Sequence, residues 1–179
     1  MRGAFLETAS APHVTESEQP LAVVAAIGNP DRGDDGFASA VARRLRGHLR
    51  SGVCILERNG DALALIEDWN GIPYVILIDA AAPVAKPGRV HRLDLTDSPL
   101  PTGFAPRSTH TFGVAETIEL ARSLGRLPER LVAYLVEGEQ FATGAPLSPA
   151  VADAVEDVAQ RIVAELSTTL GAKGDAEYA

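Results

Sequence analysis

The stretch Leu21 to Phe37, LAVVAAIGNPDRGDDGF, constrains this chain more than any other. Seven uncharged residues rich in Val, Ala and Ile break into a glycine-rich acidic loop, which leads directly into a helical pattern. An apolar run without alternation is what a strand covered on both faces by helices requires. The loop crowds Asp31, Asp34 and Asp35 around Arg32, with Gly28, Gly33 and Gly36 marking tight turns. Like charges held this close cost free energy unless a cation, a helix N-terminus or water takes them up. The stretch therefore predicts a first strand that delivers carboxylates to the mouth of an open sheet.

The rest of the chain repeats the alternation of strand and helix. Phe37, Val41, Leu45 and Leu49 recur every four residues and predict an amphipathic helix of about three turns. Val53 to Leu56 reads as a second strand, and Asp61 as the N-cap of a helix burying Leu63, Ile66 and Trp69. Tyr74 to Ile78 is a third strand that ends in Asp79. After the Pro87-Gly88 turn, Arg89 to Leu95 alternates like a half-exposed strand and is placed antiparallel at a sheet edge. A proline-rich loop over 96–109 leads to His110 and a helix from Phe112 to Leu124 with Val114, Ile118 and Ala121 inward. Leu131 to Val136 is a fifth strand, closed by Glu137-Gly138-Glu139. Ser148-Pro149 caps and starts the last helix, whose stripe is Val151, Val155, Val158, Ile162 and Leu166.

Connections too long for hairpins imply an α/β fold: a three-layer α/β/α sandwich on a mainly parallel twisted sheet of about five strands, with one antiparallel edge strand. The 179 residues suit one domain over 20–168, between a polar arm at 1–19 and a tail at 169–179 that should fray. A net charge of -8 opposes binding to duplex nucleic acid, whose phosphates call for cations. The first twenty residues lack the apolar core of a signal peptide, and no segment approaches eighteen apolar residues, so a cytoplasmic protein is expected. A monomer is the default. Cys54, the single cysteine, lies in an apolar stretch and is expected to be a buried small hydrophobe.

In open parallel sheets the binding crevice lies beyond the carboxyl ends of the strands. The polar residues found there are Asn29 and the Asp31/Asp34/Asp35 loop, then Asp79, then Glu137 and Glu139, with His110 entering at a helix start. Asp35, Asp79 and His110 come from separate segments and share one sheet edge. Two carboxylates and an imidazole can hold Ni, Zn or Fe with open positions, or act as acid and base without a metal. Plainer roles stand beside these: Asp34 or Asp35 as helix cap, Asp79 binding turn amides, His110 facing solvent. Glu137 and Glu139 read as loop charges, and His13, His48 and His91 as residues of the arm, a helix surface and the edge strand. The turn GNPDRGDDG is not G-x-G-x-x-G, and its acidic side chains stand where a pyrophosphate needs bare amides. Neither a P-loop lysine nor a G-x-S-x-G elbow is present.

Gly28 to Gly36 resembles the G-N-x-x-x-x-D-[DE]-x opening of the hydrogenase maturation proteases, which cut a C-terminal extension from the large subunit of [NiFe] hydrogenases. The resemblance continues through Asp79, His110 and Leu147-Ser148-Pro149 and spans residues 21–167. It implies a hydrolase whose metal-contacting and catalytic trio is Asp35, Asp79 and His110. It further implies that the metal is nickel carried in by the large-subunit precursor, with no tightly bound resident cofactor. A checkpoint or chaperone that binds the loaded precursor without cutting it would use the same residues. Of the acidic loop, Asp34 is then expected to cap the helix and Asp31 to meet Arg32 or solvent, and the loops at 96–109 and 137–147 to grip the precursor's tail.

Overall fold

Ala22–Ile27 forms β1, and all six of its residues are buried, as an apolar run sandwiched by helices should be. A 3-10 turn at Gly33–Gly36 follows, then α1 (Phe37–Leu45), β2 (Val53–Arg58), α2 (Ala62–Asp68), β3 (Tyr74–Ala81), β4 (Val90–Asp94), α3 (Val114–Ser123), β5 (Arg130–Glu137) and α4 (Pro149–Ala176). The structure, a computed structural model, describes residues 19–59, 61–82, 85–101 and 114–176, with side chains through residue 171.

The five strands run in the order β2-β1-β3-β5-β4. All neighbours are parallel except β4, which pairs antiparallel with β5 at the edge, as the alternation of Arg89 to Leu95 predicts. Even-numbered residues of β1, β3 and β5 face one layer, where Phe37, Val41 and Leu45 of α1 meet Val151, Val158 and Ile162 of α4. Odd-numbered residues face the other layer, built from Leu65, Ile66, Val114, Ile118 and Ala121 of α2 and α3 together with Trp69. Each such fully buried large apolar side chain contributes about 1.5–3 kcal/mol.

Several local expectations change. In α2, Asp61 caps as predicted, accepting from the Leu63 and Ala64 N–H groups at 3.1 Å each. That register turns Leu65 inward, and Leu63 is 65% exposed. α1 ends at Leu45 because Arg46 leaves helical dihedrals, yet Leu49 still packs on the core from the segment beyond. Cys54 is exposed. It lies on edge strand β2, beside Val23 in register, while its neighbours Val53 and Ile55 turn toward the core on the other face. The last helix continues through Ala176, into the stretch 169–179 expected as a tail. Among the described residues no helix is long and apolar enough to cross a membrane.

The sheet order places a topological switch point between β1 and β3. The chain leaves β1 toward β2 on one side and returns to β3 on the other, and such a divergence opens a crevice at the carboxyl ends. β1 pairs with β3 only through Ala26↔Ile78, whereas β3 continues beside β5 through Ala81↔Glu137. Asp79 is therefore inside β3 and not after it. It is the first residue of β3 beyond the pairing with β1.

Candidate active site

β1 ends at Ile27, and Gly28 after it has a φ of +134°, a backbone conformation that few side-chain-bearing residues adopt. A Cβ at this position would stand 2.2 Å from the carbonyl oxygen of Asp35, so only glycine lets the loop fold back this tightly. The Asp35 carboxylate is 3% exposed and accepts from the Asn29 N–H at 3.0 Å. The Asn29 side chain in turn accepts from the Asp31 N–H at 2.9 Å, a local turn that leaves Asp31 facing solvent.

Across the switch point, Asp79 is 4% exposed and accepts from the N–H of its neighbour Ala80 at 2.7 Å. Burial pushes the Asp79 carboxyl up from its ordinary 3.8 to about 8; the Ala80 N–H pulls it down, and the nearby charge of Asp35 adds to the rise. The fold thus brings together two of the three predicted site residues, one from the turn after β1 and one from within β3, more than forty positions apart in sequence. His110 lies outside the described residues, as does His13. Among the described residues no three His, Cys, Asp or Glu side chains form a group that could hold a metal ion. Asp35 and Asp79 offer two oxygen-donor ligands to which a cation would be attracted.

Asp34 differs from its expected role. No side-chain cap bond forms at the 3-10 turn or at α1. The Asp34 carboxylate, 0% exposed, instead accepts from the N–H groups of Glu139 (2.8 Å), Gln140 (3.0 Å) and Ser148 (2.7 Å) and from the Ser148 hydroxyl (3.0 Å). Ser148, read from sequence as a helix cap, spends its hydroxyl on this bond. Arg32 donates through Nη2 to the Phe141 carbonyl at 3.3 Å. The segment after β5 is accordingly fastened to the acidic loop.

Glu137 is not a loop charge. It closes β5 at 0% exposure, accepts from the Ala85 and Lys86 N–H groups at 2.6 and 2.8 Å, and lies 2.7 Å from Nε2 of His91. Its carboxylate thus ties the end of β5 to the connection that follows β3 and to the edge strand. Sequence reading missed it because a Glu followed by Gly looks like the start of a turn. No local signal marks it, because its register beside Ala81 emerges only from strand pairing. Glu139 remains exposed, and His48 lines an open groove between α1 and α4, as a surface residue should.

The family model for hydrogenase maturation proteases matches residues 40–165 of the chain. The hydrogenase expression/formation protein HupD of Bradyrhizobium diazoefficiens is 29% identical over 162 residues, covering 87% of this chain and 84% of that protein. Two solved structures share the fold. The hydrogenase maturating endopeptidase HybD from E. coli superposes with a TM-score of 0.66 at 24% identity, over 83% of this chain and 93% of its own. An endopeptidase from Escherichia coli does so with a TM-score of 0.72 at 23% identity, over the same 83% and 93%. With a family match across most of the sheet and its helices, the chain belongs to the hydrogenase maturation protease family.

Proposed function

We propose that the chain removes the C-terminal extension of a nickel-loaded [NiFe] hydrogenase large-subunit precursor, sensing the precursor's own nickel through Asp35, Asp79 and His110. The observation that carries this reading is the pairing of two buried carboxylates, Asp35 and Asp79, at the switch point of the sheet. Such a pair presents negative charge to an incoming cation with little reorganisation. The place of His110 rests on the sequence resemblance. The nickel belongs to the substrate, so the protein needs no resident metal for this role.

In this reading the nickel fixes the scissile peptide against the two carboxylates, and water attacks its carbonyl carbon. One carboxylate takes the water's proton, the C–N bond breaks, and the proton passes to the leaving amine. A carboxyl raised toward neutrality, as Asp79 is before nickel arrives, is suited to exchange protons at cellular pH. The working form is proposed to be a cytoplasmic monomer. The large exposed apolar side chains among the described residues, Leu21, Leu63 and Leu124, lie in separate segments of the chain, as is ordinary for a monomer surface.

The test mixes purified protein with nickel-loaded and nickel-free precursor and follows the mass of both products. Release of the tail from the loaded form alone is expected. A loaded precursor that binds but keeps its tail would instead establish a non-cutting nickel checkpoint.

A further inference from the structure

Asp34 has a buried, acceptor-only carboxylate whose partners all come from the segment that follows β5. Three of its bonds end on backbone N–H groups, at Glu139, Gln140 and Ser148, and the fourth on the Ser148 hydroxyl. Backbone bonds run alongside: the Asp34 N–H donates to the Gln140 carbonyl at 2.8 Å, the Gly33 N–H to Ala145 at 3.0 Å, and the Gly144 N–H to Asp31 at 2.7 Å. Asp35 shares a peptide unit with Asp34, so the direction of its side chain depends on how that unit is held. From within its own loop Asp35 has the Asn29 N–H on its carboxylate and a 3.2 Å bond from its N–H to the Arg32 carbonyl.

We propose that Asp34 is a positioning residue for the protease reaction: it locks the β1–α1 loop to the β5–α4 segment so that the two form one rigid body, and this lock sets the direction of Asp35. The role rests on the reading of Asp35 as a nickel-contacting carboxylate. It assigns to adjacent aspartates opposite tasks, one facing the reaction and one facing the scaffold. It also makes the segment 138–148 a preformed wall of the crevice, whereas a gripping loop would have to move. Asparagine cannot replace Asp34 without cost. All four partners present hydrogens, and an amide places its own NH2 against at least one of them.

The experiment compares wild type, Asp34→Asn and Ser148→Ala by amide hydrogen exchange in the free protein and by steady-state tail release from nickel-loaded precursor. In Asp34→Asn, the amides of Glu139, Gln140 and Ser148, and also that of Asn29, are expected to exchange about tenfold faster or more. The Asn29 amide reports the direction of Asp35 without needing substrate. kcat should fall on the order of 10–100-fold while KM stays within about threefold, the signature of a misdirected group in place of lost binding. Ser148→Ala, which leaves three of the four bonds, should show the same pattern with a smaller loss. Faster exchange at 139, 140 and 148 with Asn29 protection and kcat unchanged would overturn the proposal and leave Asp34 as a loop staple only. If Asp34→Asn does not fold, unchanged Asn29 exchange and kcat in Ser148→Ala overturn it equally. Should wild type fail to cleave loaded precursor, the nickel reading falls, and the exchange data still decide whether Asp34 orients Asp35.

Discussion

Asp79 is held by one backbone N–H, whereas Asp34 accepts four hydrogen bonds, and both are buried. The number of donors, more than the burial, separates a carboxyl free for chemistry from one that joins loops. Asp35, with a single bond from Asn29, sides with Asp79. Asp35→Asn keeps an acceptor for that N–H and removes the charge. Its tail release should fall by about 10²–10⁴-fold with little change in melting temperature, measured by product mass and thermal scanning. Gly28→Ala acts on the same residue through sterics. Its added Cβ would meet the Asp35 carbonyl at 2.2 Å in a backbone conformation with φ of +134°. A loss of about 1–3 kcal/mol in urea unfolding is expected, together with impaired cleavage.

At the scale of elements, α4 is fixed to the sheet by a polar cluster at the end opposite the site. Glu165 accepts from the Tyr74 and Tyr134 hydroxyls at 2.7 Å each and pairs with Arg92 and Arg130, and Arg130 lies 4.9 Å over the Tyr74 ring. Burial would raise the Glu165 carboxyl, but hydrogen bonds from Arg92, Tyr134 and Tyr74 and the charge of Arg92 outweigh it and hold it near 2, against an ordinary 4.5. Because the folded value is depressed, the stabilisation is fully present above pH 4.5 and is lost as pH falls toward about 2. Its size is on the order of 3 kcal/mol. The Tyr134 hydroxyl shows the converse. Burial, then the bond to Glu165, push it up from 10.0 to about 12, so stability declines as pH rises across that interval. Urea titrations across pH should show both limbs, and Glu165→Gln should flatten the acid one. An acid limb equally steep in the variant would reject this account.

The whole molecule shares one sheet between two apolar layers, Phe37, Val41 and Ile162 on one side and Ile66, Trp69 and Ile118 on the other. Neither layer can unfold without exposing the strands that the other covers. Ile162→Ala and Ile118→Ala, both at fully buried positions, should each cost about 2–5 kcal/mol. Each variant should unfold in a single transition, with fluorescence of Trp69 and far-ultraviolet circular dichroism coinciding. Separate transitions would divide the chain into independent units. The edges are guarded differently. β2 leaves its outer side open but carries ion pairs from Glu57 to Arg46 at 2.5 Å and from Arg58 to Asp68 at 2.6 Å, charges of the kind that discourage strand addition.

Sequence by itself determined the three-layer class, the antiparallel edge strand and the Asp61 cap, because periodicity and cap chemistry are local properties written within a few residues. It likewise singled out the acidic loop and Asp79, since polar residues at the ends of apolar runs stand out in any reading. Tertiary structure decided what those residues do. Whether Asp34 caps a helix or locks two loops depends on Ser148, more than a hundred positions away. Whether Glu137 is a surface charge or a buried tie depends on the register of β5 beside β3 and on His91. Whether Cys54 is covered depends on β2 being an edge. Above all, the opening between β1 and β3 that lets Asp35 and Asp79 act on each other exists only once the sheet order is set, because the order in which strands pair is a long-range free-energy choice that no local pattern encodes.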